Sequence, residues 1–231
     1  MTKENTLFVI IGLLAGCIIG FMFANSVNQN AATRVPATMT QQNPNIPAGH
    51  PDINSTNAAM QPQVQAAIDK AKAEPDNFEA QIKAAEINYQ IQRFDGAIEF
   101  LQQANKIKPD DYETIVNLGN AYFDSSKYVD ADKWYSAALV KKVDDVNVRT
   151  DLGLTFIFRD PPNYDRAVQE FVRSLETDPN HIQTLQNLTV AYTKKSDAAK
   201  AKATLARLEG LDSTNSAIPK LREDIKKLES K

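Results

Sequence analysis

Hydrophobic and polar residues alternate differently in three stretches of the chain. Leu7 to Ala24 (LFVIIGLLAGCIIGFMFA) is an 18-residue run without a charge. From Asn25 to about Met60 large apolar residues are sparse, and Pro36, Pro44, Pro47 and Pro51 interrupt any period. From Gln63 onward apolar residues return three and four positions apart in short runs, which is the spacing of amphipathic helices. The pattern predicts an all-α chain: one transmembrane helix, a disordered linker, a series of short helix pairs and a final capping helix. An 18-residue helix is about 27 Å long, close to the roughly 30 Å hydrocarbon core of a bilayer.

The helix pairs repeat. Ala97, Ala131, Ala167 and Ala201 lie 34, 36 and 34 residues apart. Pro75, Pro109, Val143, Pro179 and Ser213 step by 34, 34, 36 and 34, and Leu118, Leu152 and Leu188 keep the same spacing. A period near 34 implies stacked helix-turn-helix units, none of which buries its apolar face alone. The expected organisation is a tail (1–6), a membrane anchor (7–24), a flexible linker (25–60), a partial-repeat helix (61–75), four repeats (76–109, 110–143, 144–179, 180–215) and a capping helix (216–231). Ser216 is placed to cap that last helix, with Pro219 in its first turn and Ile218, Leu221, Ile225 and Leu228 on one face.

The residues inside each period resemble the tetratricopeptide repeat, whose pattern runs aromatic-x-x-Leu-Gly-x-x-Tyr, then Ala-x-x-x-Phe, then Pro. The second unit carries Ile115, Leu118-Gly119, Tyr122, Tyr128, Ala131, Tyr135 and Ala138. The third carries Leu152-Gly153, Phe156, Tyr164, Ala167, Phe171 and Pro179. The fourth carries Leu185, Leu188, Tyr192, Ala201 and Leu205, with Thr189 where glycine is usual. The first is degenerate around a shorter turn, keeping Ile82, Ala85, Tyr89, Phe94, Ala97, Leu101 and Pro109. Small residues (Gly119, Gly153, Ala131, Ala167) are expected to let paired helices approach, while Tyr122, Tyr135 and Phe171 fill the gaps beside them. Between the helices of the third unit, Arg159-Asp160-Pro161-Pro162-Asn163 is two residues longer, as a recognition loop or a tolerated surface change.

The N-terminal segment admits two fates. Leu14-Ala15-Gly16-Cys17 resembles a bacterial lipobox, which would make Cys17 the acylated first residue of a lipoprotein. Ile18 to Phe23 continues the apolar run past that point, which favours an uncleaved anchor. Gly12, Gly16, Gly20 and Ala24 form a small-residue stripe that suits self-association in the bilayer, giving a homo-oligomer as a structural alternative. Lys3 on one flank, against no charge before Arg34 on the other, orients the repeats outside the cytoplasm of a bacterial inner membrane. A coil of about 36 residues spans about 30–36 Å and would hold the repeats clear of the headgroups.

Charge and chemistry narrow the function. A net charge of -3 gives no reason to expect a nucleic-acid partner. The single cysteine forms no internal disulfide. His50 and His181 are the only histidines, one in the linker and one read as a surface residue at a repeat junction. No catalytic, metal-ligand or phosphate-loop pattern stands out, so neither an enzyme nor a cofactor is expected. Asp110-Asp111 and Asp144-Asp145 read as helix starts.

The resemblance implies binding through the concave face, where the first helix of each unit would hold a protein or peptide partner. Its positions fall here on Val116, Asn120, Phe123, Thr150, Leu154, Ile157, Gln186, Val190 and Thr193. Family members that clamp acidic chaperone tails carry lysine or arginine on this face, and Val116 and Thr150 occupy the matching places here. Anchored members of similar layout serve in cytochrome c maturation, translocon support and envelope assembly. The expected function is therefore a membrane-anchored scaffold or adaptor, bound to the bilayer through 7–24.

Overall fold

The structure is a computed structural model that describes residues 53–230, with side chains from residue 62. The anchor, the Gly12, Gly16, Gly20 and Ala24 stripe, Cys17 and most of the linker therefore lie outside the described residues. The chain divides into two units at residue 65, and the repeats lie in the second. The described residues form ten helices: α1 (Ile53–Ala73), α2 (Phe78–Gln90), α3 (Phe94–Ile107), α4 (Tyr112–Asp124), α5 (Tyr128–Lys141), α6 (Val146–Phe158), α7 (Tyr164–Thr177), α8 (Ile182–Lys194), α9 (Ala198–Leu211) and α10 (Ile218–Glu229). Order was expected from about residue 61, whereas α1 begins at Ile53 and carries Pro62 inside it. None of these helices is long and apolar enough to cross a membrane.

From α2 onward the helices pair as α2–α3, α4–α5, α6–α7 and α8–α9. Each second helix also packs on the first helix of the next pair, and α10 lies on α8 and α9. Buried side chains run through all four pairs, and Tyr122 and Trp134 touch the apolar clusters on either side of them.

Close pairing depends on matched sizes. A Cβ on Gly119 would lie 2.5 Å from the ring of Tyr135, and one on Gly153 would collide with the ring of Phe171. Both rings are fully buried. The first and fourth units carry Ala85 and Thr189 at the glycine position, and there the residue at the aromatic position is the smaller Leu101 or Leu205. Packing at interior density tolerates an added methyl group only where its neighbour is reduced.

The ends of the helices are fixed locally. Asn77, Asp111 and Asp145 cap α2, α4 and α6 by accepting from Ala80 N, Thr114 N and Val148 N. His181 holds the corresponding place before α8 but makes no cap bond. It is half-buried rather than a simple surface residue. Its Nδ1 lies 2.6 Å from Thr184 Oγ1 and its Nε2 3.1 Å from Asn147 Oδ1. Burial lowers its pKa. Before α10, Asn215 Oδ1 accepts from Ala217 N, so Asn215 takes the role expected of Ser216.

The turn of the first unit is no shorter than its counterparts. Ile91–Arg93, like 125–127 and 195–197, is a three-residue turn whose middle residue (Gln92, Ser126, Ser196) has φ near +60°. In each, the third turn residue donates back to a carbonyl inside the preceding helix: Arg93 to Asn88, Lys127 to Tyr122, Asp197 to Tyr192. In the third unit Asn163 N makes the matching bond to Phe156 O at 2.7 Å. The longer loop thus bulges outward while the helix pairing stays the same.

The third unit also breaks the apolar pattern. Ile115 and Trp134 of the second unit correspond to Arg149 and Glu170 in the third. Glu170 is buried, and Arg149 bonds it at 3.0 Å while also donating to Val143 O. Arg166 and Arg173 approach the same carboxylate at 2.9 and 3.6 Å.

Two outcomes follow from this packing. Gly153→Ala is expected to cost about 2 kcal/mol in urea unfolding. Adding Phe171→Leu should recover part of that loss, and simple additivity of the two changes would refute the size matching. Glu170→Ala should cost about 3 kcal/mol by stranding Arg149, whereas Arg149→Leu with Glu170→Met should unfold at or above the wild-type midpoint.

Candidate partner-binding groove

The first helices of successive units (α2, α4, α6, α8) present a common face, and α6 touches α8 directly. Capping bonds from Asn77, Asp111 and Asp145 fix where α2, α4 and α6 start, so equivalent positions line up from unit to unit. Of the nine residues expected there, Val116, Asn120, Ile157, Gln186, Val190 and Thr193 keep intermediate exposure. Val116, Ile157 and Val190 also pack against the core, which leaves one side of each reachable.

Three expected lining residues are taken into the fold instead. Phe123 and Leu154 are only 8% and 7% exposed. Phe123 stacks edge-on against Tyr128 and Phe158. Thr150 is fully buried, donating to Val146 O at 2.7 Å and lying 2.6 Å from Thr184 Oγ1. Two polar residues are also partly committed. Asn120 Oδ1 accepts from Tyr135 Oη at 2.8 Å, and Thr193 Oγ1 donates to Thr189 O at 2.9 Å.

The geometry brings forward a group absent from the expected lining. Tyr89 of α2 donates its hydroxyl to Asp124 at the end of α4, linking two successive first helices. Asp151 of α6 lies close enough to Asp124 and to Tyr135 to act on both electrostatically. Burial is the main cause that raises the Asp124 pKa, and the Tyr89 hydrogen bond partly offsets it. Asp151 is pushed up to about 7 by burial first, then by the charges of Asp124 and Asp145. Tyr89 and Tyr135 are raised in turn, chiefly by burial. Asp151, the single acidic residue of the helix VNVRTDLGLTFIF, was the signal available in the sequence. Asp124 and Asp151 each follow an expected lining residue by one position.

A second depression of about 350 Å³ lies between α7, α8 and α9 and is lined by Val172, Leu175, Leu188, Tyr192, Lys200, Thr204 and Arg207 among others. Thr204 stands where the second unit has Trp134, and the smaller side chain leaves the space open. Among the described residues no cluster of three or more His, Cys, Asp or Glu side chains is placed to hold a metal ion.

Stacked two-helix units with matched small and large residues and a shared face on their first helices define a helical-repeat scaffold. Residues 78–111 match the tetratricopeptide-repeat family model. The structure of MamA superposes with a TM-score of 0.61 over 71% of this chain and 96% of its own, at 20% identity. MamA from Desulfovibrio magneticus RS-1 gives 0.61 over 70% and 90%, at 14% identity. YrrB, described as a TPR protein with an unusual peptide-binding site, gives 0.62 over 74% and 88%, at 15% identity. A comparison with curated proteins gives no match. The likeness is one of fold: the helix pairs share the architecture of these structures, and one unit matches the tetratricopeptide-repeat model.

The raised Asp151 pKa sets a direction for stability. Between about pH 4 and pH 7 the folded chain keeps a proton that the unfolded chain has shed, so this residue's contribution weakens as pH rises through about 7. Asp151→Asn is expected to raise stability by on the order of 1 kcal/mol above about pH 8 and to flatten the pH slope in thermal melts. An unchanged slope would show that Asp151 is solvated.

Proposed function

We propose that this protein is an adaptor held at a membrane by residues 7–24, which collects a protein client in the groove formed by its first helices. The observation that carries the reading is the groove itself. Val116, Asn120, Ile157, Gln186, Val190 and Thr193 leave a mixed apolar and amide surface along consecutive units, which matches the needs of an extended polypeptide. The uncharged 18-residue run of the sequence supplies the anchor, and the proline-bearing stretch after it supplies reach. The charge on the flanks of that run supports export of the repeats, and analogy with anchored repeat proteins of similar layout supports a part in assembling an envelope complex.

A photo-crosslinking residue placed at Asn120 or Val190, compared with one at Val140 on the outer surface, tests the groove. Val140 is 87% exposed and serves as the control. Client adducts are expected from the groove positions alone, in the membrane fraction, and removal of 7–24 should release both the protein and its adducts from that fraction. Equal labelling from all three positions would refute groove binding, and a truncated chain that stays with the membranes would refute the anchor.

A further inference from the structure

The depression between α7, α8 and α9 marks a recurring core position that has lost its large side chain. Three residues beyond Ala97, Ala131, Ala167 and Ala201 stand Phe100, Trp134, Glu170 and Thr204. Phe100 is buried, Trp134 packs on the apolar cluster that holds Leu118 and Tyr122, and Glu170 is met by three arginines. At Thr204 the wall is kept while the filling group is gone. Leu188 and Tyr192 repeat Leu118 and Tyr122, and about 350 Å³ stays open beside them. In the third unit the matching wall residue, Phe156, is covered by Arg159 and Arg166, 5.0 and 5.7 Å from its ring. Tyr192 has Lys200 at 5.6 Å and otherwise faces the depression.

We propose that this depression receives a tryptophan side chain of a partner polypeptide, the group with which the second unit fills the equivalent space from within. Its volume lies at the lower end of the range for ligand pockets, which suits one large side chain. Leu175 and Leu188 give it an apolar wall, and Tyr192 offers a ring for edge contact. Lys200 and Arg207, both exposed at the rim, carry the positive charge that favours an aromatic occupant over an aliphatic one. Thr204 Oγ1 donates to Lys200 O at 2.9 Å, so its lone pairs are left to accept an indole N–H. Val172 and Glu176 are exposed on the opposite rim, so a ligand main chain can run past in solvent. A second copy of this chain does not supply the group, because its single tryptophan is Trp134, half-buried in its own repeats. None of the six exposed groove residues lines the depression, so this site is separate from the groove proposed above.

The test uses the full-length chain in lipid nanodiscs, with isotope-labelled leucine and valine methyl groups followed by NMR. The probe is the capped peptide acetyl-Gly-Ser-Trp-Ser-Gly-amide. Saturable upfield ring-current shifts are expected at Leu175 and Leu188. The same peptide with leucine in place of tryptophan should bind about fivefold more weakly. Thr204→Trp supplies the indole from within, so it should abolish the shifts and raise the urea midpoint. Val172→Asp, at an exposed position, should abolish them in a chain of wild-type stability, and it keeps the test decisive should the first variant misfold. No saturable shift, or shifts that persist in both variants, would overturn the proposal. Equal affinity for the leucine peptide would overturn the aromatic assignment. Shifts confined to Val116 and Val190 would also overturn it, and would instead support binding in the groove.

Discussion

In the second and third units the two helices approach so closely that one side must give up its side chain altogether. Gly119 under the ring of Tyr135 and Gly153 under that of Phe171 set that distance. Ala85 with Leu101 and Thr189 with Leu205 reach pairing with the volume divided differently between the two helices. Everything beyond the pair builds on that approach. It lets the second helix meet the next unit, makes Tyr122 and Trp134 shared between neighbouring clusters, and brings the first helices side by side. Stability in such an array is a sum of near-neighbour contacts, so a local misfit propagates only to adjacent units.

The third unit shows how much polarity this scheme accommodates. Its core places an arginine and a glutamate where the second unit has isoleucine and tryptophan. It also joins the fourth unit through hydroxyls, with Thr150 against Thr184 and His181 beside them. Each of these groups is buried or half-buried and has a partner, which is what the interior demands. Asp151, on the same helix as Arg149 and Thr150, has no hydrogen bond or ion pair among the described residues, and burial raises its pKa. Polar groups satisfied within the fold serve its structure.

A rigid row of first helices suits an adaptor because its binding surface is formed in advance, so a client alone bears the entropy of ordering. On the proposed reading, holding such a surface near a bilayer would raise its effective concentration for clients that share that membrane. On the proposed reading, apolar and amide positions along the row supply general affinity for an extended chain.

The sequence by itself determined the all-α class, the four two-helix units, the matching of glycine with large aromatics and the helix starts at Asp111 and Asp145. These are local or periodic features, legible because a 3.6-residue helix and a 34-residue repeat both leave their spacing in the chain. The sequence also pointed to the groove face, but not to its depth. Phe123, Leu154 and Thr150 share that face and are nevertheless buried, because neighbouring helices close over them. The turn after α2, the cap supplied by Asn215, the half-buried His181 and the hydrogen bond from Tyr89 to Asp124 were likewise decided in three dimensions. Each depends on which atoms from different helices come within a few ångströms of one another, and a period along one chain carries no record of that distance.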